Sequence, residues 1–176
     1  VGYLSQTPSF PAELTVLDAC MRSDNEIAQT VAQYERAMLN PDAENLEEIL
    51  VKMDMLKAWD YESRVKQILG KLKIHDFNQK IGELSGGQLK RVALANVLIG
   101  EPDLLILDEP TNHLDLEMVE WLEEFLRRIS GALLMVTHDR YFLDRVCTDI
   151  IEIDALGLYH YEGNYQYYLT KREERL

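Results

Sequence analysis

Two kinds of hydrophobic pattern alternate along this 176-residue chain. Residues 104–107 and 133–136 are unbroken apolar runs, which are typical of parallel strands covered on both faces. Over residues 27–72, 89–97 and 116–127, apolar residues instead recur at the spacing of amphipathic helices. The alternation of helix and strand after residue 82 predicts an α/β fold, preceded by a helical region.

The C-terminal part of the pattern consists of shorter elements. Residues 140–146 are a predicted helix, and residues 150–153 and 158–161 are two predicted strands joined by a hairpin turn at residues 154–157. This part therefore adds one helix and a small antiparallel pair to the α/β region.

Two adjacent carboxylates, Asp108 and Glu109, directly follow the first apolar run. Parallel sheets bind ligands at the carboxyl ends of their strands. Asp108 is therefore a candidate oxygen ligand for a Mg²⁺ that bridges two phosphates, and Glu109 would face an attacking water. The alternative is a strand that simply ends in an acidic turn, and the run alone does not distinguish the two.

Ser85, Gly86, Gly87 and Gln88 stand at the predicted N-terminus of the helix before that strand. Free backbone N–H groups and the helix dipole favour anions there, and glycine lets a phosphate approach the backbone closely. Ser85 has a plain structural alternative as the N-cap. The combination with the carboxylates and with His138, which follows the second apolar run, indicates a nucleotide site.

These segments together resemble the nucleotide-binding domain of ATP-binding cassette (ABC) proteins. Residues 84–88 resemble the LSGGQ signature, residues 104–109 the Walker B strand with its following glutamate, and His138 the switch histidine. Gln6 resembles the Q-loop glutamine. The resemblance implies a P-loop NTPase (ABC ATPase) core that uses ATP and Mg²⁺.

Three further segments resemble the soluble ABC-F subfamily. Residues 111–115 carry Asn-His before Leu-Asp, where transporter domains usually carry Ser-Ala. Residues 58–70 are similar to the Uup-like branch, and residues 163–174 to the helix that leaves the first ABC-F cassette toward its tandem partner. The chain is thus identified as a first cassette of that subfamily.

The resemblance also implies how the chain is divided. Residues 14–81 would be the inserted α-helical subdomain, which itself carries an insertion, and residues 82–162 the signature, Walker B and switch-histidine part of the core. Residues 163–176 would begin the inter-domain linker helix.

Each matched residue takes a role from the family. Asp108 would hold Mg²⁺, Glu109 would act as general base, and His138 would donate a hydrogen bond to the γ-phosphate. Gln6 would sense both metal and water. The residues expected to act on a second nucleotide, shared with a partner cassette, are Ser85, Gly86, Gly87, Gln88 and Asp115.

One expected motif is absent from the sequence. No G-x-x-x-x-G-K-[ST] phosphate loop occurs, and the Gly70-Lys71 pair is followed by Leu72. In the family that loop, Walker A, lies upstream of the Q-loop. Because Val1 stands first and Gln6 is already the Q-loop position, we expect a truncated domain that is inactive alone. The family also places the Walker A strand beside residues 132–136, so we expect an exposed sheet edge that favours self-association.

Composition limits the partners. The net charge of −13 argues against a nucleic-acid-binding surface on this chain, because phosphate backbones are bound by clustered Lys and Arg. No apolar run approaches the length of a membrane span, so membrane insertion is not expected. Cys20 and Cys147 lack the spacing of a zinc or disulfide framework, which favours a cytoplasmic setting.

Three functions remain open. The first is a tandem-cassette ATPase whose partners are the second cassette of the same polypeptide and the ribosome or another nucleic-acid complex, bound through other regions. The second is the ATP-binding subunit of a membrane transporter. The third is a non-enzymatic interaction module, which requires that the parent protein lack Walker A.

Overall fold

The computed structural model describes residues 1–22, 25–40 and 45–175. Within them, a run of helices follows the first strand, and helices then alternate with strands up to a C-terminal hairpin and helix. In chain order the elements are β1 Gly2–Leu4, α1 Val16–Met21, α2 Glu26–Leu39, α3 Leu46–Met55, α4 Tyr61–Lys71, α5 Gly86–Ile99, β2 Leu104–Asp108, α6 Leu116–Arg128, β3 Ala132–Val136, α7 Arg140–Val146, β4 Asp149–Asp154, β5 Gly157–Glu162 and α8 Tyr165–Arg175. Short 3₁₀ turns lie at Ala58–Asp60 and Ile81–Glu83.

Strands β1, β2 and β3 form one parallel sheet with β2 at its centre. Leu107 of β2 lies opposite both Leu4 and Met135, so the three strands end at the same edge of the sheet. In the part of the chain that the structure describes, β3 pairs with β2 alone. The predicted hairpin is confirmed as the separate antiparallel pair β4–β5.

The two faces of the sheet differ in burial. Leu105 and Leu107 are buried, whereas Leu134 is 50% and Val136 58% exposed. The expectation that β2 and β3 are covered on both faces is therefore wrong for one face. Side chains alternate along a strand, and one set packs into the helical core while the other set remains accessible.

Helices α5 and α6 follow their hydrophobic patterns and supply much of that core. The buried apolar residues of α5 are Val92, Ala93, Leu94, Ala95, Leu98 and Ile99, and those of α6 are Met118, Leu122 and Leu126. These helices directly precede and follow β2 along the chain.

The helical region enters and leaves the sheet domain at neighbouring points. The N–H of Val16 donates to the carbonyl of Gln79 (3.0 Å), and the N–H of Ile81 donates to the carbonyl of Leu14 (2.9 Å). Helix α2 ends at Leu39. The residues Asn40-Pro41-Asp42 favour a turn after this helix; Pro41 and Asp42 lie outside the described residues.

Strand β1 was not predicted from the sequence. It has three residues, too few for a periodic signal, and its pairing with β2 supplies the strand character. None of the described helices is both long and apolar enough to cross a membrane.

We expect the Cys20 thiol to be unreactive in the folded chain. Burial raises the pKa of Cys20 from 9.0 to about 12, so almost no thiolate exists at pH 8. Ellman's reagent should label Cys147, which is half-buried, before Cys20, and denaturant should make both react. The same shift predicts that unfolding becomes easier as pH rises above about 9, because only the unfolded thiol ionises there. Fast native labelling of Cys20 in the Cys147→Ser variant would contradict the assignment.

Candidate active site

A cleft opens at the carboxyl end of β2. Its lining comprises Leu4, Ser5, Gln6, Lys90, Arg91, Leu94, Asp108, Glu109, Pro110, Asn112 and Leu114. Nε2 of Gln6, just after β1, donates a hydrogen bond to Oδ1 of Asp108 (3.1 Å). Two residues 102 positions apart are thus held together because β1 and β2 are parallel neighbours.

Glu109 lies in an unusual backbone conformation. Its φ is 49°, in the left-handed region that non-glycine residues rarely adopt, and its N–H donates to the carbonyl of Val136 (2.7 Å). Such strain costs about 1–3 kcal/mol and concentrates at functional sites. The carboxylate is 13% exposed, so the turn directs it into the cleft rather than into solvent.

His138 is the neighbour of that carboxylate. Its N–H donates to Oε2 of Glu109 (3.3 Å), and its Nε2 lies 3.4 Å from Oε1. The imidazole is otherwise exposed, at 99% of its side-chain area. Asp139 caps α7 by accepting from the N–H of Phe142 (3.0 Å), which sets where the turn after β3 ends.

The donor set suits Mg²⁺ better than a softer metal. Mg²⁺ is bound through one or two carboxylates together with phosphate oxygens and water, and Asp108 with the amide of Gln6 offers oxygen donors of that kind. Among the described residues no cluster of three or more His, Cys, Asp or Glu side chains forms a metal cage. The remaining ligands would be phosphate oxygens and water.

The signature residues form the N-terminus of α5. Ser85 accepts a hydrogen bond from the N–H of Gln88 (3.2 Å), and the Gln88 side chain accepts one from the N–H of Ser85 (2.9 Å). This capping box confirms Ser85 as the N-cap. An added Cβ at Gly86 would meet no atom within 4 Å, so the backbone there is open to a ligand.

The turn from Glu109 to Asp115 lies against this helix. An added Cβ at Gly87 would lie 3.4 Å from Nδ1 of His113, so the two segments are in contact. Asp115 caps α6 by accepting from the N–H of Met118 (3.0 Å). The hydrogen bond from Lys73, followed by the bond from Met118, holds the pKa of the Asp115 carboxyl below its usual value.

The structure therefore separates the candidate residues into two groups. At the ends of the strands, Gln6 is hydrogen-bonded to Asp108 and His138 to Glu109, and the two pairs adjoin because Asp108 and Glu109 are consecutive residues. Ser85 to Gln88 form the N-cap and first turn of α5, whereas the cleft is lined by later residues of that helix, Lys90, Arg91 and Leu94.

The sequence analysis did not identify Lys73, Lys90 and Arg91 as residues near the site. Lys90 and Arg91 follow the signature after Leu89, and their place in the second turn of the helix that begins at Gly86 is the only local signal for them. Lys73 has no local signal, because its partner Asp115 is 42 positions away.

Comparison with known proteins agrees with this geometry. The family model described as ABC transporter matches residues 1–112. The protein YfmR of Bacillus subtilis, called an uncharacterized ABC transporter ATP-binding protein, is 47% identical over 99% of this chain. The energy-dependent translational throttle protein EttA of Mycobacterium tuberculosis is 42% identical over the whole chain. The ATP-binding protein Uup of Haemophilus influenzae is 35% identical, again over the whole chain.

These relatives are longer proteins. The matched region is 29% of YfmR, 33% of EttA and 28% of Uup. The chain therefore spans about a third of the length of its curated relatives.

A solved structure agrees on the fold. A dimeric ATP-binding cassette in a post-hydrolysis state, bound to ADP and phosphate, superimposes with a TM-score of 0.61. It is 22% identical, and the match covers 92% of this chain and 62% of that one. The predicted α/β fold of the ABC ATPase class is confirmed.

Proposed function

Because this chain belongs to the ABC family of ATP-binding domains, with relatives of the ABC-F type, we propose that it is part of a tandem-cassette ATPase. In this proposal two cassettes of one polypeptide bind ATP between them, and hydrolysis drives a conformational switch. The observation that carries it is the pair of hydrogen-bonded contacts at the strand ends, Gln6 with Asp108 and His138 with Glu109, which adjoin because Asp108 and Glu109 are consecutive residues. A cytoplasmic location follows from the proposed role.

Glu109 is the proton acceptor in this mechanism. Its carboxylate, held in the cleft by the strained turn, takes a proton from the water that attacks the γ-phosphate. His138 lies within 3.4 Å of that carboxylate and presents an exposed ring, so it is placed to orient both base and phosphate. Mg²⁺, when bound, supplies charge neutralisation on the phosphates.

Gln6 connects this chemistry to the helical region. It follows β1, and residue 14 at the start of the helical region is only a short stretch further along the chain. Its amide donates a hydrogen bond to Asp108. A change of ligand at Asp108 can therefore shift the position of Gln6 and of the segment that leads to α1. The N-terminus of α5 and Asp115 would complete the site of the partner cassette, since the signature acts across the shared interface in this family.

Closure of the two cassettes around ATP explains how the nucleotide changes the conformation of the pair. Contacts to the nucleotide from both cassettes exist only when the two are closed, so ATP shifts the population toward that state. Hydrolysis removes those contacts and the pair opens.

We propose translation as the process that this switch serves. The support is the likeness to EttA, an energy-dependent translational throttle protein, at 42% identity over the whole chain. With a net charge of −13, this chain is a poor surface for RNA, so the ribosome contacts would come from other parts of the polypeptide.

The experiment is an ATPase assay and ribosome co-sedimentation of the full-length polypeptide that contains this chain. ATP should be hydrolysed, and a non-hydrolysable analogue should increase the fraction that sediments with ribosomes. Absence of hydrolysis refutes the ATPase, and hydrolysis without ribosome association refutes the translation role.

The chain alone should bind Mg-ATP weakly and turn it over at no measurable rate. The sequence contains no G-x-x-x-x-G-K-[ST] loop, whose backbone N–H groups and lysine hold the phosphates in P-loop enzymes. Isothermal titration calorimetry of the chain with Mg-ATP measures this directly. A micromolar dissociation constant would contradict the prediction.

The chain alone should also self-associate through β3. This strand exposes one edge within the described residues and presents Leu134 and Val136 on its open face. Unpaired apolar strands recruit other strands. Small-angle scattering should give a mass above that of a monomer, and Leu134→Lys should lower it. A monomer at all concentrations would refute this assembly.

A further inference from the structure

A lysine outside the cleft joins the helical region to the turn that carries Glu109. Lys73 follows the C-terminus of α4 in the left-handed conformation, with φ of 57°. Its Nζ donates a hydrogen bond to Oδ2 of Asp115 and lies 3.1 Å from Oε2 of Glu117. The side chain thus spans from the end of α4 to the start of α6.

The backbone on either side of Lys73 is held in turn. Its N–H donates to the carbonyl of Gly70 (3.0 Å), which ties it to the last turn of α4. The carbonyl of Leu72 accepts from Nη1 of Arg91 on α5 (2.9 Å). A displacement of α4 therefore displaces the ammonium group as well.

The turn that Lys73 reaches is fixed at three places. It begins where Glu109 donates to Val136 (2.7 Å), it touches Gly87 through His113, and it ends where Asp115 caps α6. The first place belongs to the sheet and the second to the signature helix. Lys73 adds a side-chain link from the helical region to the third.

We propose that Lys73 is a positioning residue that couples the helical region to the Glu109–Asp115 turn and thereby orients Glu109. The proposal rests on the proposed ATPase function for its kinetic consequence. Lys73 and Asp115 have side chains 42% and 45% exposed, and exposed ion pairs contribute little to global stability. Loss of the pair should therefore make the turn more mobile and lower the rate of ATP turnover, while the free energy of unfolding stays nearly unchanged.

The test uses the full-length polypeptide with three variants. Lys73→Met removes the charge and keeps the stem, and Lys73→Arg keeps the charge. Lys66→Met is the matched control, because Lys66 lies on α4 itself, is also 42% exposed and pairs with Glu62 at 3.1 Å, away from the Glu109–Asp115 turn. Hydrogen–deuterium exchange of peptides covering residues 109–118 reports the turn, and steady-state ATPase kinetics report its consequence.

We expect Lys73→Met to speed exchange of that segment roughly threefold and to lower kcat roughly fivefold, with KM for ATP unchanged, since displacement of a reacting group by a fraction of an ångström already slows chemistry. Lys73→Arg should keep both the exchange rate of the segment and kcat close to their wild-type values, and Lys66→Met should match the wild type in both. The proposal is overturned if Lys73→Met and Lys66→Met exchange alike, if exchange and kcat do not change together, or if Lys73→Arg is as impaired as Lys73→Met. If the wild type hydrolyses no ATP, the proposed function fails, and the exchange data alone then decide whether Lys73 holds the turn.

Discussion

Replacing Glu109 by Gln in the full-length polypeptide should stop ATP hydrolysis while leaving ATP binding intact. An amide cannot take the proton of the attacking water, and general-base catalysis contributes about 10²–10⁴-fold to such rates. The Gln carbonyl oxygen can still accept the hydrogen bond that the N–H of His138 donates to Glu109 (3.3 Å), so the geometry of the turn should persist. The loss should therefore appear in kcat.

The measurement is a single-turnover ATPase assay together with nucleotide retention on a desalting column. The variant should retain ATP in a closed state for longer than the wild type does. Glu120→Gln on the exposed side of α6 is the control for loss of one carboxylate, and it should leave kcat unchanged. If Glu109→Gln turns over like the wild type, Glu109 is not the base.

Replacing Phe142 by Ala should destabilise the fold more than any surface change. Phe142 is fully buried in α7, within the core that also holds Leu122 and Leu126 of α6. Truncation of a buried Phe costs about 3–5 kcal/mol, because the lost burial and the remaining cavity add. Since α7 starts directly after His138 and Asp139, its loosening should also release the histidine from Glu109.

Urea unfolding followed by circular dichroism gives the free energy of unfolding for each variant. Tyr141→Ala is a close control, because the neighbouring aromatic ring is 84% exposed and its loss should cost less than about 0.5 kcal/mol. Equal unfolding midpoints for the two variants would show that α7 is not part of the cooperative core.

Elements with a strong local pattern could be predicted from the sequence. Strands β2 and β3, helix α7 and the β4–β5 hairpin lie where hydrophobic runs and turn residues indicated them. The N-cap at Ser85 could be predicted because Gln88 follows at the spacing of a capping box. In each case the signal lies within a few residues of the element.

Features that depend on distant neighbours could not be predicted in this way. Strand β1 exists through its pairing with β2, about a hundred residues later. The left-handed backbone at Glu109 accompanies a hydrogen bond from its N–H to Val136 on the adjacent strand. The exposure of one face of the sheet likewise depends on which helices pack against it. An apolar run in the sequence does not indicate whether such a helix is present.

The attachment of the helical region has a consequence for how this domain can vary. Its two ends are joined by backbone hydrogen bonds between Val16 and Gln79 and between Leu14 and Ile81, and α1 and α4 pack on α5, so a change of length between α1 and α4 does not need to move β2 or the signature helix. Loop-closure entropy grows slowly with length, which makes such insertions inexpensive. The part between α1 and α4 can therefore be shortened or extended, and proteins that share one such core can differ in the surface they attach to it.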